Sequence, residues 1–136
     1  MPTQTLQVMV VEDELLLLEA VSKKLKLAGF AVQGFTSGQQ ALEALKTMPK
    51  LPDAIWLDYY LKDMTGLNFM ETVHQSPAWS YIPVLVASNS ATPDKVHAMV
   101  KLGVKRYVLK ADHRLEEIVE LLADCIAADK TLQGDT

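Results

Sequence analysis

Residues 53–58 read DAIWLD, an apolar run that ends in an aspartate, and three other runs in the chain are built in the same way. Glu12 and Asp13 follow VMVV, Ser88 follows VLVA, and Lys110 follows YVL. Short apolar runs of this kind are typical of buried strands in a parallel sheet. Strand ends of one kind lie along one edge of such a sheet, where open α/β proteins bind their ligands. We therefore expect these carboxylates, the hydroxyl and the ammonium group to meet in one cleft.

Length and composition predict one globular domain. The chain has 136 residues, of which 49% are hydrophobic, enough for a core of its own. The net charge of −4 argues against nucleic-acid binding, which usually requires a basic patch. No apolar stretch is long enough to span a bilayer, and the first residues lack the pattern of a secretory signal. Cys125 is the single cysteine, which is typical of a reducing compartment. We expect a cytoplasmic protein that binds neither nucleic acid nor membranes.

Apolar strands alternate with helix-like segments, the pattern of a parallel sheet with helices on both faces. Gly29 is expected to end the first helix, Ser37 and Thr92 to cap the second and fourth, and Pro93 to occupy the first position of the fourth. Strands are predicted at residues 7–11, 31–35, 54–57, 84–87 and 106–109. The first, second, third and fifth helices are predicted at 14–28, 38–47, 67–74 and 114–128, and the fourth begins after Thr92. Residues 5–129 are expected to form the domain, and 130–136 a flexible tail.

Taken together and in order, these motifs resemble the receiver domain of two-component response regulators. The matching stretches are VVEDE at 10–14, WLDYYLKDMTGL at 56–67, IPVLVASNS at 82–90 and GVKRYVLKAD at 103–112. The resemblance runs from about residue 6 to residue 128 and implies an α/β fold, a flavodoxin-like doubly wound five-stranded parallel sheet of order 2-1-3-4-5 with five helices. Right-handed crossovers would then place strands 1 and 3 side by side.

The resemblance also implies a metal site. Three carboxylates packed closely repel one another unless a positive charge lies between them, and Mg²⁺ prefers oxygen ligands. Asp13 and Asp58 are expected to bind Mg²⁺ (or Mn²⁺) directly, together with the backbone carbonyl of Tyr60. Glu12 is expected to act through water.

By the same resemblance, Asp58 is the phosphoacceptor, a nucleophile that forms an aspartyl phosphate. Lys110 and the hydroxyl of Ser88 would stabilise the transferred phosphoryl group. Ser88 and Tyr107 would then form a two-state switch. The implied partners are a sensor histidine kinase or phosphotransfer protein, and a downstream protein that binds the face of helix 4, strand 5 and helix 5. The chain would be a signalling switch in a phosphorelay rather than an enzyme.

Several positions depart from the family pattern, and two of them concern the loops beside the site. Lys62 stands where many relatives have proline, so we expect a looser loop after Asp58. Ala111 stands where many relatives have a proline joined by a cis bond to the active-site lysine. A cis bond before a residue other than proline costs about 2.5–4 kcal/mol. We therefore predict a trans bond between Lys110 and Ala111.

Several alternatives remain open. The acidic residues at 12–14 can also be explained as favouring the start of a helix through its dipole. A pseudo-receiver would share the fold but bind proteins without being phosphorylated. A phosphatase of the haloacid dehalogenase type is disfavoured, because it needs a second aspartate where Tyr60 stands. A flavin carrier is disfavoured too, because the phosphate loop that it needs is missing after strand 1.

Two groups of apolar residues also have two interpretations each. The four leucines at 15–18 predict either core contact with the last helix or a partner surface. Tyr59 and Tyr60 are either exposed gatekeepers of the site or ordinary loop aromatics.

Overall fold

Five strands and five helices alternate along residues 5–134, the part of the chain that the computed structural model describes, with side chains described through residue 129. The strands are β1 (Gln7–Val11), β2 (Ala31–Phe35), β3 (Ala54–Asp58), β4 (Val84–Ser88) and β5 (Arg106–Leu109). The helices are α1 (Leu15–Leu27), α2 (Gly38–Thr47), α3 (Gly66–Gln75), α4 (Pro93–Lys101) and α5 (Leu115–Gly134), and a short 3₁₀ turn (Lys110–Asp112) follows β5.

The strands form one parallel sheet in the order β2-β1-β3-β4-β5, which confirms the predicted fold class and strand order. Val11 pairs with Leu57, and Asp58 pairs with Ala87, so β1, β3 and β4 end close together. The chain reverses its direction of strand addition between β1 and β3. This is the switch point where open α/β sheets place their ligands.

The sheet separates two apolar cores, because successive side chains of a strand point to opposite faces. One core contains Met9 and Leu57 and is covered by α2, α3 and α4. The other contains Val10 and Trp56 and is covered by α1 and α5. Every residue of β3 and β4 is buried, as expected for central strands covered on both faces.

The predicted helix ends are confirmed where a local signal marks them. The side chain of Ser37 accepts a hydrogen bond from the backbone N–H of Gln40, and Thr92 caps α4 in the same way, with Pro93 at the first turn. Gly29 has a φ of 98°, a left-handed conformation that favours glycine after a helix.

Helix α5 is longer than the sequence predicted. It continues to Gly134, whereas the sequence predicted an end near residue 128. Lysine, leucine and glutamine are good helix formers, and residues 129–133 contain no proline, so nothing stops the helix before Gly134. Five residues of the predicted tail at 130–136 therefore belong to α5. Residues 135 and 136 lie outside the described part of the chain, and the flexibility of the tail stays a prediction.

The four leucines at the start of α1 divide between core and surface. Leu18 is buried, and Leu17 packs against the core beneath α1 and α5. Leu15 and Leu16 are 59% and 80% exposed, so core contact does not explain them.

None of the described helices combines the length and the apolar character needed to cross a bilayer.

Candidate functional site

Three carboxylates meet at the switch point of the sheet. Glu12 and Asp13 follow β1, and Asp58 is the last residue of β3. Each of the three offers an oxygen, and these atoms lie within 4.8 Å of one another. Within the described part of the chain, this is the one group of three or more potential metal ligands from His, Cys, Asp and Glu. Glu12 and Asp58 are almost fully buried, so their charges are poorly solvated.

Lys110 brings a positive charge to this acidic cluster. Its Nζ lies 2.9 Å from Oε1 of Glu12 and 3.4 Å from Oδ1 of Asp58. Burial opposes the charge of Lys110, but the hydrogen bond to Glu12 and the attraction of both carboxylates outweigh burial and raise its pKa. The ammonium group therefore stays charged at neutral pH.

The carboxyl group of Asp58 is strongly perturbed. Burial and the nearby charge of Glu12 raise its pKa to about 7, although Lys110 opposes this shift. One ammonium group therefore does not offset the carboxylates. A divalent cation bound by their oxygens would favour the ionised form of Asp58.

The donor set fits a hard divalent cation such as Mg²⁺, because it consists of carboxylate oxygens. Both oxygens of Glu12 already have partners: Oε1 accepts from Lys110 and Oε2 accepts from the backbone N–H of Glu14, at 3.1 Å. The indirect role of Glu12 and the direct ligation by Asp13 and Asp58 stay predictions. Tyr60, whose carbonyl is the other expected ligand, follows β3 and forms an isolated bridge with Thr65.

The loop that carries Tyr60 is hydrogen-bonded to the start of α2. The carboxylate of Asp63 accepts hydrogen bonds from the backbone N–H groups of Gly38 and Gln39, at 3.0 and 2.9 Å. Met64 covers Gly38 so closely that a Cβ atom there would lie 2.5 Å from the Met64 sulfur. The loop is thus held at two points, and its looseness, which Lys62 led us to expect, stays a prediction. This role of Asp63 was not predicted, because its partners lie 24 and 25 residues away.

Ser88 and Tyr107 meet at Ser90, in the loop between β4 and α4. Ser88 is fully buried, and its Oγ accepts a hydrogen bond from the N–H of Ser90 at 3.3 Å. The Tyr107 hydroxyl donates to the carbonyl oxygen of Ser90 at 2.7 Å. The two residues that the sequence assigned to a switch are therefore connected through one backbone segment.

A second network, which the sequence did not predict, joins the loops after β3 and β4. Lys95 of α4 donates to the hydroxyl of Tyr60 and to Oγ of Ser90, the latter at 3.2 Å. Its ammonium group also lies 4.6 Å from the centre of the Tyr60 ring, within cation–π range. Tyr60 is 45% exposed, whereas Tyr59 is buried. Tyr60 is thus the aromatic at the surface of the site, and Tyr59 belongs to the core.

The bond between Lys110 and Ala111 is trans, as predicted, because the described chain contains no cis peptide bond. Lys110 begins the 3₁₀ turn that follows β5. Its side chain nevertheless reaches both Glu12 and Asp58. Proline after the lysine is therefore not needed to bring the ammonium group to the acidic cluster.

Comparison with known proteins identifies the family of this chain. Residues 8–123 match the family model described as the response regulator receiver domain. The chain is 34% identical over 103 residues to the two-component response regulator ORR8 of Oryza sativa subsp. indica, covering 76% of this chain and 84% of that protein. It is 33% identical, with the same coverage, to ORR12 of Oryza sativa subsp. japonica.

Solved structures share the fold. A CheY-like response regulator receiver domain protein from Methanospirillum hungatei JF-1 has a TM-score of 0.85 at 15% identity, covering 94% of this chain and 98% of that one. The chemotaxis response regulator CheY4 of Vibrio cholerae has a TM-score of 0.79 at 24% identity, covering 90% and 99%. The matched family model spans most of the chain and the Oryza relatives cover more than two thirds of it. This chain therefore belongs to the response regulator receiver domain family and is the receiver domain of a two-component response regulator.

Proposed function

We propose that this receiver domain accepts a phosphoryl group on Asp58 from a histidine kinase or phosphotransfer protein, in a Mg²⁺-dependent reaction. The observation that carries the proposal is the position of Lys110, whose ammonium group lies 2.9 Å from Glu12 and 3.4 Å from Asp58. A buried carboxylate beside a charged ammonium group and further carboxylates is suited to phosphoryl transfer, which depends on positioning and charge stabilisation.

In the proposed reaction, a carboxylate oxygen of Asp58 attacks phosphorus in line with the leaving group. A phosphorus–oxygen bond forms, the bond between phosphorus and the histidine nitrogen breaks, and the nitrogen leaves with the electron pair. The Lys110 ammonium group would stabilise one phosphoryl oxygen, and the hydroxyl of Ser88 another. Bound Mg²⁺, held by Asp13 and Asp58, would neutralise the remaining negative charge.

The proposed output is a change at the face of α4, β5 and α5. The hydroxyl of Ser88 would move toward the phosphoryl group. It would pull Ser90 with it, because the backbone N–H of Ser90 donates a hydrogen bond to Oγ of Ser88. Tyr107 of β5 holds the carbonyl of the same residue. A local electrostatic event at Asp58 would thus reach the surface through one loop, and a downstream protein would bind the altered face.

The proposal is tested by incubating the purified protein with acetyl phosphate, with and without Mg²⁺, and measuring intact mass. We expect one phosphoryl group with Mg²⁺, little without it, and none in Asp58→Asn. Asp94→Asn, which changes an exposed carboxylate on α4, is the matched control and should label like the wild type. Absence of labelling in the wild type would favour the pseudo-receiver, a protein-binding module with the same fold.

A further inference from the structure

Lys95 of α4 joins two loops that border the phosphoacceptor site. The loop after β3 carries Tyr60, and the loop after β4 carries Ser90. The ammonium group of Lys95 donates to the hydroxyl of Tyr60 and, at 3.2 Å, to Oγ of Ser90. The two hydroxyl oxygens lie 3.3 Å from each other. These three side chains therefore contact one another pairwise, and we call this set the Lys95 bridge.

Aromatic rings hold the ammonium group of the Lys95 bridge in place. Its Nζ lies 4.6 Å from the centre of the Tyr60 ring and 5.3 Å from the centre of the Tyr59 ring, both within cation–π range. The two rings contact each other edge to face, with centroids 4.9 Å apart, and Tyr59 is buried. Lys95 itself is half-buried, so its hydrogen bonds are partly shielded from water.

Ser90 is the residue through which Lys95 reaches the proposed switch. The backbone N–H of Ser90 donates to Oγ of Ser88, and its carbonyl oxygen accepts from the hydroxyl of Tyr107. Its side chain contacts Lys95 and Tyr60. In the proposed switch, the hydroxyl of Ser88 pulls Ser90 toward the phosphoryl group. Because Ser90 also belongs to the Lys95 bridge, this movement has to lengthen or break the contact with Lys95.

We propose that Lys95 is a positioning residue that opposes the switch by holding the β4–α4 loop through Ser90. The inference deepens the proposed function and rests on it. Contacts made in only one of two arrangements favour that arrangement by their own free energy. Lys95 would therefore set the fraction of molecules that adopt the switched arrangement before any phosphoryl group arrives. For one net hydrogen bond, this fraction changes roughly two- to tenfold.

The test follows the backbone amide resonances of the ¹⁵N-labelled full chain by NMR, with and without the phosphoryl mimic beryllofluoride at saturating Mg²⁺. The resonances of Ser90 and Tyr107 in the wild type define a free and a bound reference position. Lys95→Met removes the ammonium group and keeps an unbranched stem. We expect the free variant to move toward the bound reference, and beryllofluoride to bind it roughly two- to tenfold more tightly. Lys95→Arg, which keeps the charge and the donors, should return both measurements toward the wild-type values.

Tyr60→Phe shows whether Lys95 acts through the Lys95 bridge. The variant keeps the ring and the backbone carbonyl and removes the hydroxyl that joins Lys95 to the loop after β3. We expect it to shift the resonances in the same direction as Lys95→Met. The double variant should show less than the sum of the two single effects, because both changes remove the same contact. Additive effects would show that Lys95 does not act through Tyr60 and would overturn the bridge.

Lys101→Met changes an exposed lysine in the last turn of α4 and is the matched control, which should behave like the wild type. Suppose that the wild type responds to beryllofluoride but free Lys95→Met keeps the wild-type resonance positions. This result would overturn the role of Lys95 and leave the proposed function intact, even if the variant unfolds at a lower temperature. A wild type that does not respond to beryllofluoride would overturn the proposed function and the role of Lys95 together.

Discussion

Asp58 and its neighbours show how single side chains set the chemistry of the site. Burial and Glu12 raise the pKa of Asp58 to about 7, so a large share of the carboxyl groups would be protonated at neutral pH without further positive charge. A protonated carboxyl group is a poor nucleophile. A cation bound at Asp58 would favour its ionised form and so activate the proposed nucleophile, which is the physical reason to expect Mg²⁺-dependent labelling.

Asp13 and Glu12 are predicted to contribute unequally to Mg²⁺ affinity. Both Glu12 oxygens have protein partners, so Glu12→Gln should weaken binding by roughly tenfold, the lower range for residues outside the direct ligand set. Asp13→Asn should cost more, because a direct ligand is lost. Isothermal titration of Mg²⁺ into each variant measures the difference, with Asp94→Asn as the control. Equal losses in Glu12→Gln and Asp13→Asn would contradict the assigned roles.

At the scale of elements, the attachment of one loop to one helix positions the expected carbonyl ligand of Tyr60. Asp63 accepts two backbone hydrogen bonds from the first turn of α2, where the helix dipole favours a negative charge. Desolvation is the largest single effect and raises the pKa of Asp63, but the backbone hydrogen bonds of Gln39, Gly38 and Asp63 itself together outweigh it and lower the pKa. The contact therefore stabilises the ionised form.

Removing this contact is predicted to destabilise the domain in a pH-dependent way. Asp63→Ala should lower the free energy of unfolding by about 0.5–1 kcal/mol, a modest loss because Asp63 is exposed to solvent. Because the folded pKa lies below the ordinary value of 3.8, the loss should be full at neutral pH and shrink as the pH falls below about 3.8. Urea unfolding at several pH values tests this, with Lys62→Ala in the same loop as the control. A loss that does not change with pH would point to packing rather than charge.

The loop between β4 and α4 is predicted to carry the signal to the surface. Ser88→Ala should still permit labelling of Asp58 but should remove the phosphorylation-dependent changes at Tyr107, because the hydroxyl that binds Ser90 is lost. NMR spectra with and without the phosphoryl mimic beryllofluoride provide the measurement. Ser76→Ala, a serine after α3 and outside this loop, is the control. A full response in Ser88→Ala would rule out this route.

At the scale of the whole molecule, the sequence was sufficient to predict which residues meet at the site, but not the hydrogen bonds that surround them. Local signals marked the strand ends, and the strand order that the resemblance implied placed strands 1 and 3 side by side, so the meeting of Glu12, Asp13, Asp58 and Lys110 could be predicted. The hydrogen bonds of Lys95 to Tyr60 and of Asp63 to α2 join residues 24 to 35 positions apart. The periodic pattern of apolar residues in the sequence does not predict such contacts. The sequence also did not predict that Nε1 of Trp56 has no hydrogen-bond partner among the described residues. Strand alternation predicts which core a side chain enters, but not its contacts there.

The contact between Lys110 and Glu12 joins residues 98 positions apart, and this distance has a consequence for the newly made chain. Closing so long a loop is slow and depends on the sheet that brings the two ends together. During synthesis, Asp13 and Asp58 leave the ribosome long before β5 does. A nascent chain at that stage carries Asp58 without its ammonium partner Lys110. We therefore expect the proposed phosphorylation of Asp58 to begin only when β5 has been made and added to the sheet.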